Sequence, residues 1–214
     1  MDILNPAVER YLSSLASTDD EEVLVEMEQY AREHSFPIVG RLCGRFLEVM
    51  ARSVNAKRIF EMGSGYGYSA YWFSRATGPD GEIHLTDMDP ENEKRALHYL
   101  GRAELDGPID YHVSSAFDAF NETSGEFDIV YCDIDKHDYP QAFELAKQRV
   151  RVGGLYICDN MLWSGRVTGE VHDDSNPELT RTIDRANKLI AGDPDWRSFI
   201  LPIRDGVVCA TRLR

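Results

Sequence analysis

The spacing of apolar positions changes character once along the chain, near residue 57. Before that point it is helical. Val8, Tyr11, Leu12 and Leu15 share one face of a segment from Pro6 to Leu15. Val23, Met27 and Tyr30 recur at helical spacing in a second segment, which Asp19 or Asp20 can cap. A third runs from about Ile38 to Ser53, with Leu42, Phe46, Leu47, Val49 and Met50 apolar. His34-Ser35-Phe36-Pro37 breaks the chain between the last two, because the residue before a proline is pushed out of the helical region.

After residue 57 short apolar runs alternate with helical stretches. Strands are predicted at Arg58-Ile59-Phe60, Glu82 to Asp87, Ile109 to Val113, Phe127 to Cys132 and after Gly153-Gly154. Between them fall helices at Ser69–Ala76, Pro90–Leu105 (with proline near its first turn), around Ala116 and at Tyr139–Arg149. A loop from Asn160 to Pro177 leads to a helix over Glu178–Ile190. Two closing strands, near Arg197–Pro202 and Gly206–Arg212, flank Arg204-Asp205-Gly206 and read as a hairpin. Alternating β and α units imply a parallel sheet covered by helices on both faces, with one antiparallel strand at its end. With no repeat, low-complexity tract or linker, residues 1–214 read as one domain.

Composition narrows the partners. The formal net charge of -14 offers no basic stripe for neutralising phosphates, which disfavours nucleic acid, and it disfavours anionic membranes as well. Cys43, Cys132, Cys158 and Cys209 are scattered without metal-ligand spacing, so they read as structural thiols of a reducing compartment. The first residues carry neither a basic region nor a long apolar core, so the expected location is the cytoplasm.

Chemistry concentrates at strand ends. Glu61-Met62-Gly63-Ser64-Gly65-Tyr66-Gly67 is a glycine-rich turn closing an apolar strand, where positive φ and close backbone approach suit a nucleotide-like cofactor. A dinucleotide fingerprint would place glycine where Tyr68 stands, and Glu61 would repel a phosphate. A cofactor with a cationic amino-acid end and a ribose fits better, and Asp87 ends the next strand where a carboxylate can accept from two ribose hydroxyls. Taken alone, the turn is equally a tight connection with an exposed acid beyond it. Asp133 and the pair Asp159-Asn160 end two further strands and are hard oxygen donors suited to magnesium. Alone, Asp159-Asn160 reads as a turn cap, and Lys136 as a solvated cation beside Asp135 and Asp138. Trp163 is either a wall for an aromatic substrate or core packing.

Four ordered stretches decide between these alternatives. Glu61 to Ser69 resembles the S-adenosylmethionine (SAM) motif of class I methyltransferases. Phe127 to Tyr139, Val152 to Gly165 and Leu201 to Gly206 resemble the cation-dependent O-methyltransferases of the catechol and caffeoyl-CoA type. The similarity covers about residues 5 to 214. It implies a Rossmann-like class I methyltransferase fold, with a seven-stranded mostly parallel sheet, a final antiparallel strand, helices on both faces and extra N-terminal helices. It implies that Glu61 and Gly63 line the methionine end of SAM, that Ser69 bonds its carboxylate, and that Val39 touches its amino-acid part through backbone. Asp87 would hold the ribose and Ala116 the adenine. Asp133, which would also contact SAM, joins Asp159 and Asn160 as magnesium ligands, with Lys136 as the base.

The implied reaction is methyl transfer to a hydroxyl of a small phenolic acceptor with vicinal oxygens, by a homodimer. A tRNA 5-hydroxyuridine offers the same chelating pair but meets the acidic charge. From other classes, a nicotinamide oxidoreductase is disfavoured by Tyr68, and a non-catalytic SAM-binding subunit leaves Asp133, Lys136, Asp159 and Asn160 without a purpose. The sequence departs from the family pattern at Val39, Cys43, Phe143 and Arg204, the last where glycine is usual. These departures bear on the acceptor pocket.

Overall fold

A computed structural model of the chain describes residues 3–16, 21–107, 109–171 and 174–214. Seven strands form one sheet: β1 (Arg58–Met62), β2 (Glu82–Asp87), β3 (Ile109–Val113), β4 (Phe127–Cys132), β5 (Val150–Cys158), β6 (Trp196–Leu201) and β7 (Val207–Arg212). Their order is β3-β2-β1-β4-β5-β7-β6. The first five are parallel, and β7 runs antiparallel to both of its neighbours. The strand order reverses direction between β1 and β4, which is where open α/β sheets leave a crevice at their carboxyl ends.

Among the described residues eight α-helices accompany the sheet: α1 (Pro6–Ala16), α2 (Glu22–His34), α3 (Gly40–Ser53), α4 (Tyr68–Thr77), α5 (Pro90–Arg102), α6 (Ala116–Glu122), α7 (Tyr139–Ala146) and α8 (Pro177–Gly192). Period-2 alternation along the strands splits the core in two. Ile59, Ile129, Tyr131 and Ile157 face Leu47, Tyr71 and Trp72 of α3 and α4 on one side. Phe60, Val130, Tyr156 and Cys158 face Phe120, Phe143 and Ile183 of α6, α7 and α8 on the other. Gly44 lies where α3 presses on α4: a Cβ there would meet the Trp72 ring at 2.2 Å.

Helix ends follow local chemistry. Asp89 caps α5 by accepting from Glu91 N, with Pro90 in the first turn, and Asn176 caps α8 by accepting from Leu179 N. Asp19 and Asp20 lie outside the described residues. α2 starts at Glu22 with no side-chain cap from Glu21, whose carboxylate instead pairs with Arg75 at 2.8 Å. Two helices are shorter than the periodicity predicts. α5 stops at Arg102 because Glu104 turns left-handed (φ 57°) and Leu105 N bonds back to Leu100 O. α7 stops at Ala146, since β5 already begins at Val150. The expected loop from Asn160 to Pro177 contains a 3₁₀ segment at Trp163–Thr168. Among the described residues, no helix is long and apolar enough to cross a membrane.

Candidate active site

Register brings the three strand ends together. Met62 pairs with Cys132 and Cys132 with Cys158, so Gly63, Asp133 and Asp159 leave three adjacent strands at one level. Backbone bonds hold them there: Asp133 N donates to Met62 O at 2.9 Å, and Asp159 N to Cys132 O at 3.2 Å.

The glycine turn is tied to β2, with Gly63 N donating to Thr86 Oγ1 at 3.1 Å and Ser64 N to Thr86 O at 2.8 Å. Gly63 is required twice over. Its φ is 81°, and a Cβ would lie 2.6 Å from the Asp133 carbonyl oxygen. Beneath the turn Glu61 is fully buried. Ser69 Oγ donates to its Oε1, while Oε2 has no partner. Burial pushes the Glu61 carboxyl up to about 8, the Ser69 bond opposing and Asp133 reinforcing that rise. Such a group calls for a cation. Asp87 is steadied by Asp89 N at 2.8 Å and Asn92 Nδ2 at 3.1 Å, both on Oδ1.

A cavity of about 390 Å³ opens over this level. Val39, Gly63, Ser69, Asp87, Asp133, Lys136, Asp159, Asn160 and Trp163 all line it, together with Arg204. Ala116 lies in an adjoining hollow that shares Gly63, Asp87 and Asp133 with the first. Glu61 sits behind the wall, reached through Ser69. The expected site residues are therefore one constellation.

The far wall is built from side chains. Asp133 is pushed up to about 6 by removal from water and by Asp159, with Lys136 and Arg204 pulling the other way. Lys136 Nζ lies 3.8 Å from Asp133 Oδ1 and 5.7 Å from the centre of the Tyr139 ring. Asp159 is 1% exposed, and burial raises it too while Arg204 opposes. Its Oδ2 accepts from Arg204 Nη1 at 2.8 Å, and its Oδ1 is buried without a partner. Asn160 adopts a left-handed φ of 61°, its Oδ1 3.5 Å from Tyr139 Oη.

These donors fit a small dication: two carboxylates raised by burial, one of them with a buried oxygen that has no partner, and an amide oxygen. The fit has a competitor, because Arg204 already delivers one positive charge to Asp159. The sequence reading of Arg204, as a departure bearing on the acceptor pocket, does not foresee this pairing. Arg204 occupies a left-handed backbone position (φ 49°), where glycine costs least. Its turn is zipped to the chain after Asn160 by Met161 N to Gly206 O and Leu162 N to Asp205 O, each 2.8 Å. The signal available in the sequence was a long cation in place of glycine between the closing strands.

The other departures separate. Cys43 is buried within reach of Asp159 and Arg204. Phe143 is core, set edge-to-face against Tyr156 and Trp196, and does not line the cavity, so it does not bear on the acceptor pocket. Trp163 packs against the α7–α8 core, as one of its readings expects, and it also lines the cavity.

The family model described as O-methyltransferase matches residues 14–213. The chain belongs to the class I, SAM-dependent O-methyltransferase family. Within it, this O-methyltransferase is 33% identical to the caffeoyl-CoA O-methyltransferase of Populus kitakamiensis, over 79% of this chain and 76% of that protein. It is 31% identical to the catechol O-methyltransferase of Niastella koreensis, over 77% and 76% respectively. Its fold superimposes on the O-methyltransferase TomG of Streptomyces achromogenes in complex with SAM, with a TM-score of 0.83 and 28% identity over 97% of this chain and 96% of that one. An O-methyltransferase from Bacillus cereus in complex with SAH gives the same TM-score at 26% identity, over 96% and 97%. The oxidoreductase and non-catalytic alternatives fall away with that membership.

Proposed function

We propose that this O-methyltransferase acts on a hydroxyl of a small catechol-like acceptor with two vicinal oxygens, with magnesium held by Asp133, Asp159 and Asn160. One observation carries the reading. The glycine turn, these three oxygen donors and Lys136 line a single cavity, in which Asp159 Oδ1 is buried without a partner.

When bound there, the dication supplies Lewis acidity to the chelated oxygens, and SAM supplies the electrophilic methyl group. The chain's own residues do the rest. Glu61, through Ser69 and the turn, receives the cationic amino-acid end of the cofactor, and Asp87 accepts from the ribose hydroxyls. Val39 offers backbone beside that end, and Ala116 borders the hollow for the adenine. Lys136 Nζ accepts the acceptor's hydroxyl proton, and Asp133 beside it stabilises the ammonium so formed. Trp163 walls the acceptor ring. An anionic oxygen attacking a sulfonium cancels charge, so orientation supplies much of the rate.

A homodimer completes the reading. Val8, Tyr11 and Leu15 of α1 and Phe199 of β6 are 46–65% exposed, an apolar surface suited to a second copy.

Turnover of SAM on a panel of catechols and 5-hydroxyuridine tRNA, with magnesium or with chelator, tests the proposal. Magnesium-dependent methylation of catechols supports it. Turnover of tRNA alone, or full activity under chelation, rejects it.

A further inference from the structure

Away from the cleft, three atoms of metal-ligand type meet at the open edge of the sheet. β2 and β3 pair in parallel with His84 opposite Asp110 and Thr86 opposite His112. The two-residue period of strands therefore puts His84, Asp110 and His112 on one face. There His84 Nδ1 lies 3.1 Å from His112 Nε2 and 3.3 Å from Asp110 Oδ2, and His112 Nε2 lies 3.5 Å from that same oxygen. An ion with bonds of about 2.0–2.1 Å in tetrahedral geometry holds its ligand atoms about 3.3 Å apart. The three separations describe one face of such a tetrahedron.

A second feature fixes the direction of the histidine lone pair. The other nitrogen of His84, Nε2, lies 2.5 Å from Glu82 Oε1, and Glu82 is held in turn by Arg58 at 2.9 Å. In the tautomer whose proton is engaged there, His84 presents Nδ1 to the cluster as an acceptor. This is the carboxylate–imidazole arrangement that orients metal-bound histidines. The ring cannot easily turn away. Its side chain is 6% exposed, set against Phe60 and Phe127 and stacked on His112. Without a cation, His84 Nδ1 and the Asp110 carboxylate are two acceptors facing one N–H of His112. The approach is open, because Asp110 and His112 keep 59% and 27% of their side chains exposed.

We propose that His84, Asp110 and His112 form a second metal site, specific for a zinc-type transition ion, with a water completing the tetrahedron. Imidazole nitrogens select such ions over magnesium, which prefers all-oxygen donors. The site therefore differs in kind from the oxygen donors of the cleft, and none of its residues lines that cavity. Its position suggests its purpose. β3 is an edge strand of five residues, and a metal clip would pin it to β2. His84 precedes Asp87 on that strand by about 10 Å. Stiffening the strand supports the platform beneath the ribose end of the cleft.

The test is a calorimetric zinc titration of the metal-stripped full chain, with millimolar magnesium present to occupy the cleft donors. Parent protein is expected to bind one zinc per chain at micromolar affinity or tighter and to gain thermal stability. His112→Ala and Asp110→Ala are expected to weaken zinc by more than about tenfold each and to lose that gain. The zinc-free melting and SAM binding of Asp110→Ala should match the parent, since that side chain is 59% exposed. Asp159→Asn should leave the zinc titration unchanged. Absence of stoichiometric zinc binding, parent affinity in His112→Ala, or loss of zinc in Asp159→Asn would each overturn the assignment.

Discussion

The two walls of the cleft solve opposite electrostatic problems. The cofactor wall is made of backbone, the glycine turn between β1 and α4, and it hides one carboxylate, Glu61, with an oxygen that nothing satisfies. The opposite wall, where the acceptor is proposed to sit, is made of side chains, and its two carboxylates already have cations beside them, Arg204 at 2.8 Å and Lys136 at 3.8 Å. The first wall waits for positive charge that a ligand must bring. The second is balanced within the chain, so any dication that enters must contend with a resident arginine. Substitutions on one wall should therefore leave the other wall's ligand largely untouched.

The largest effect is expected at Gly63. Alanine there must hold a φ of 81° and place its Cβ 2.6 Å from the Asp133 carbonyl, which is backbone and cannot step aside. Left-handed strain of about 1–2 kcal/mol adds to the displacement of the β1 and β4 ends. SAM affinity should fall by about a hundredfold or more, read by calorimetry, with circular dichroism confirming the fold. An unchanged affinity in Gly63→Ala means that the cofactor does not approach this turn.

Asp159→Ala comes next and acts on the opposite wall. Arg204 loses its partner, at a cost of roughly 2–3 kcal/mol, toward the low end for a broken buried pair because the arginine keeps 31% exposure. Methyl transfer to catechols should drop by about a hundredfold or more as the acceptor loses its anchoring. SAM affinity should stay within a few-fold of the parent. A parallel loss of SAM binding and turnover would erase the distinction between the walls.

That distinction was only half legible in the sequence. Strand-end donors can be read because each follows an apolar run, and the motifs around Gly63, Asp133 and Asp159 fix their kinds. Their common level cannot be read, since it arises from the register Met62–Cys132–Cys158 across strands far apart in the chain. The Arg204–Asp159 pair depends on the closing hairpin docking on residues 161–164, a tertiary contact with no periodic signature. Phe143 was misplaced for the related reason that a helix position does not say which side of the sheet it packs on. The His84–Asp110–His112 cluster was invisible because parallel pairing of β2 with β3, not spacing, joins it.

Arg204→Gly sharpens the comparison at a smaller scale. Glycine relieves the left-handed backbone at this position and strips the resident charge from Asp159. Magnesium, or manganese followed by paramagnetic resonance, should bind about tenfold more tightly, a difference of roughly 1.4 kcal/mol. Without metal the variant should melt lower than the parent, because Asp133 and Asp159 then face each other with less compensation. Saturating magnesium should recover most of that loss. Equal metal affinity in parent and variant would mean that Arg204 does not compete for the site.

The smallest effect isolates the hidden carboxylate of the cofactor wall. The Glu61 carboxyl stands at about 8 in the folded chain against an ordinary value near 4.5. Between those limits the folded state keeps a proton that the unfolded state has released. Its contribution to stability is therefore full below the lower value and is lost as pH rises through the upper one. Ligand-free parent should melt lower at about pH 8 than at about pH 5, and Glu61→Gln, which has no proton to lose, should lose less. On the proposed reading SAM brings a cation to this carboxylate, and its stabilising effect at pH 8 should then be larger on the parent than on the variant. Parallel melting curves for the two proteins, with and without SAM, would mean that Glu61 is already compensated, and the contrast between the walls would then rest on the acceptor side alone.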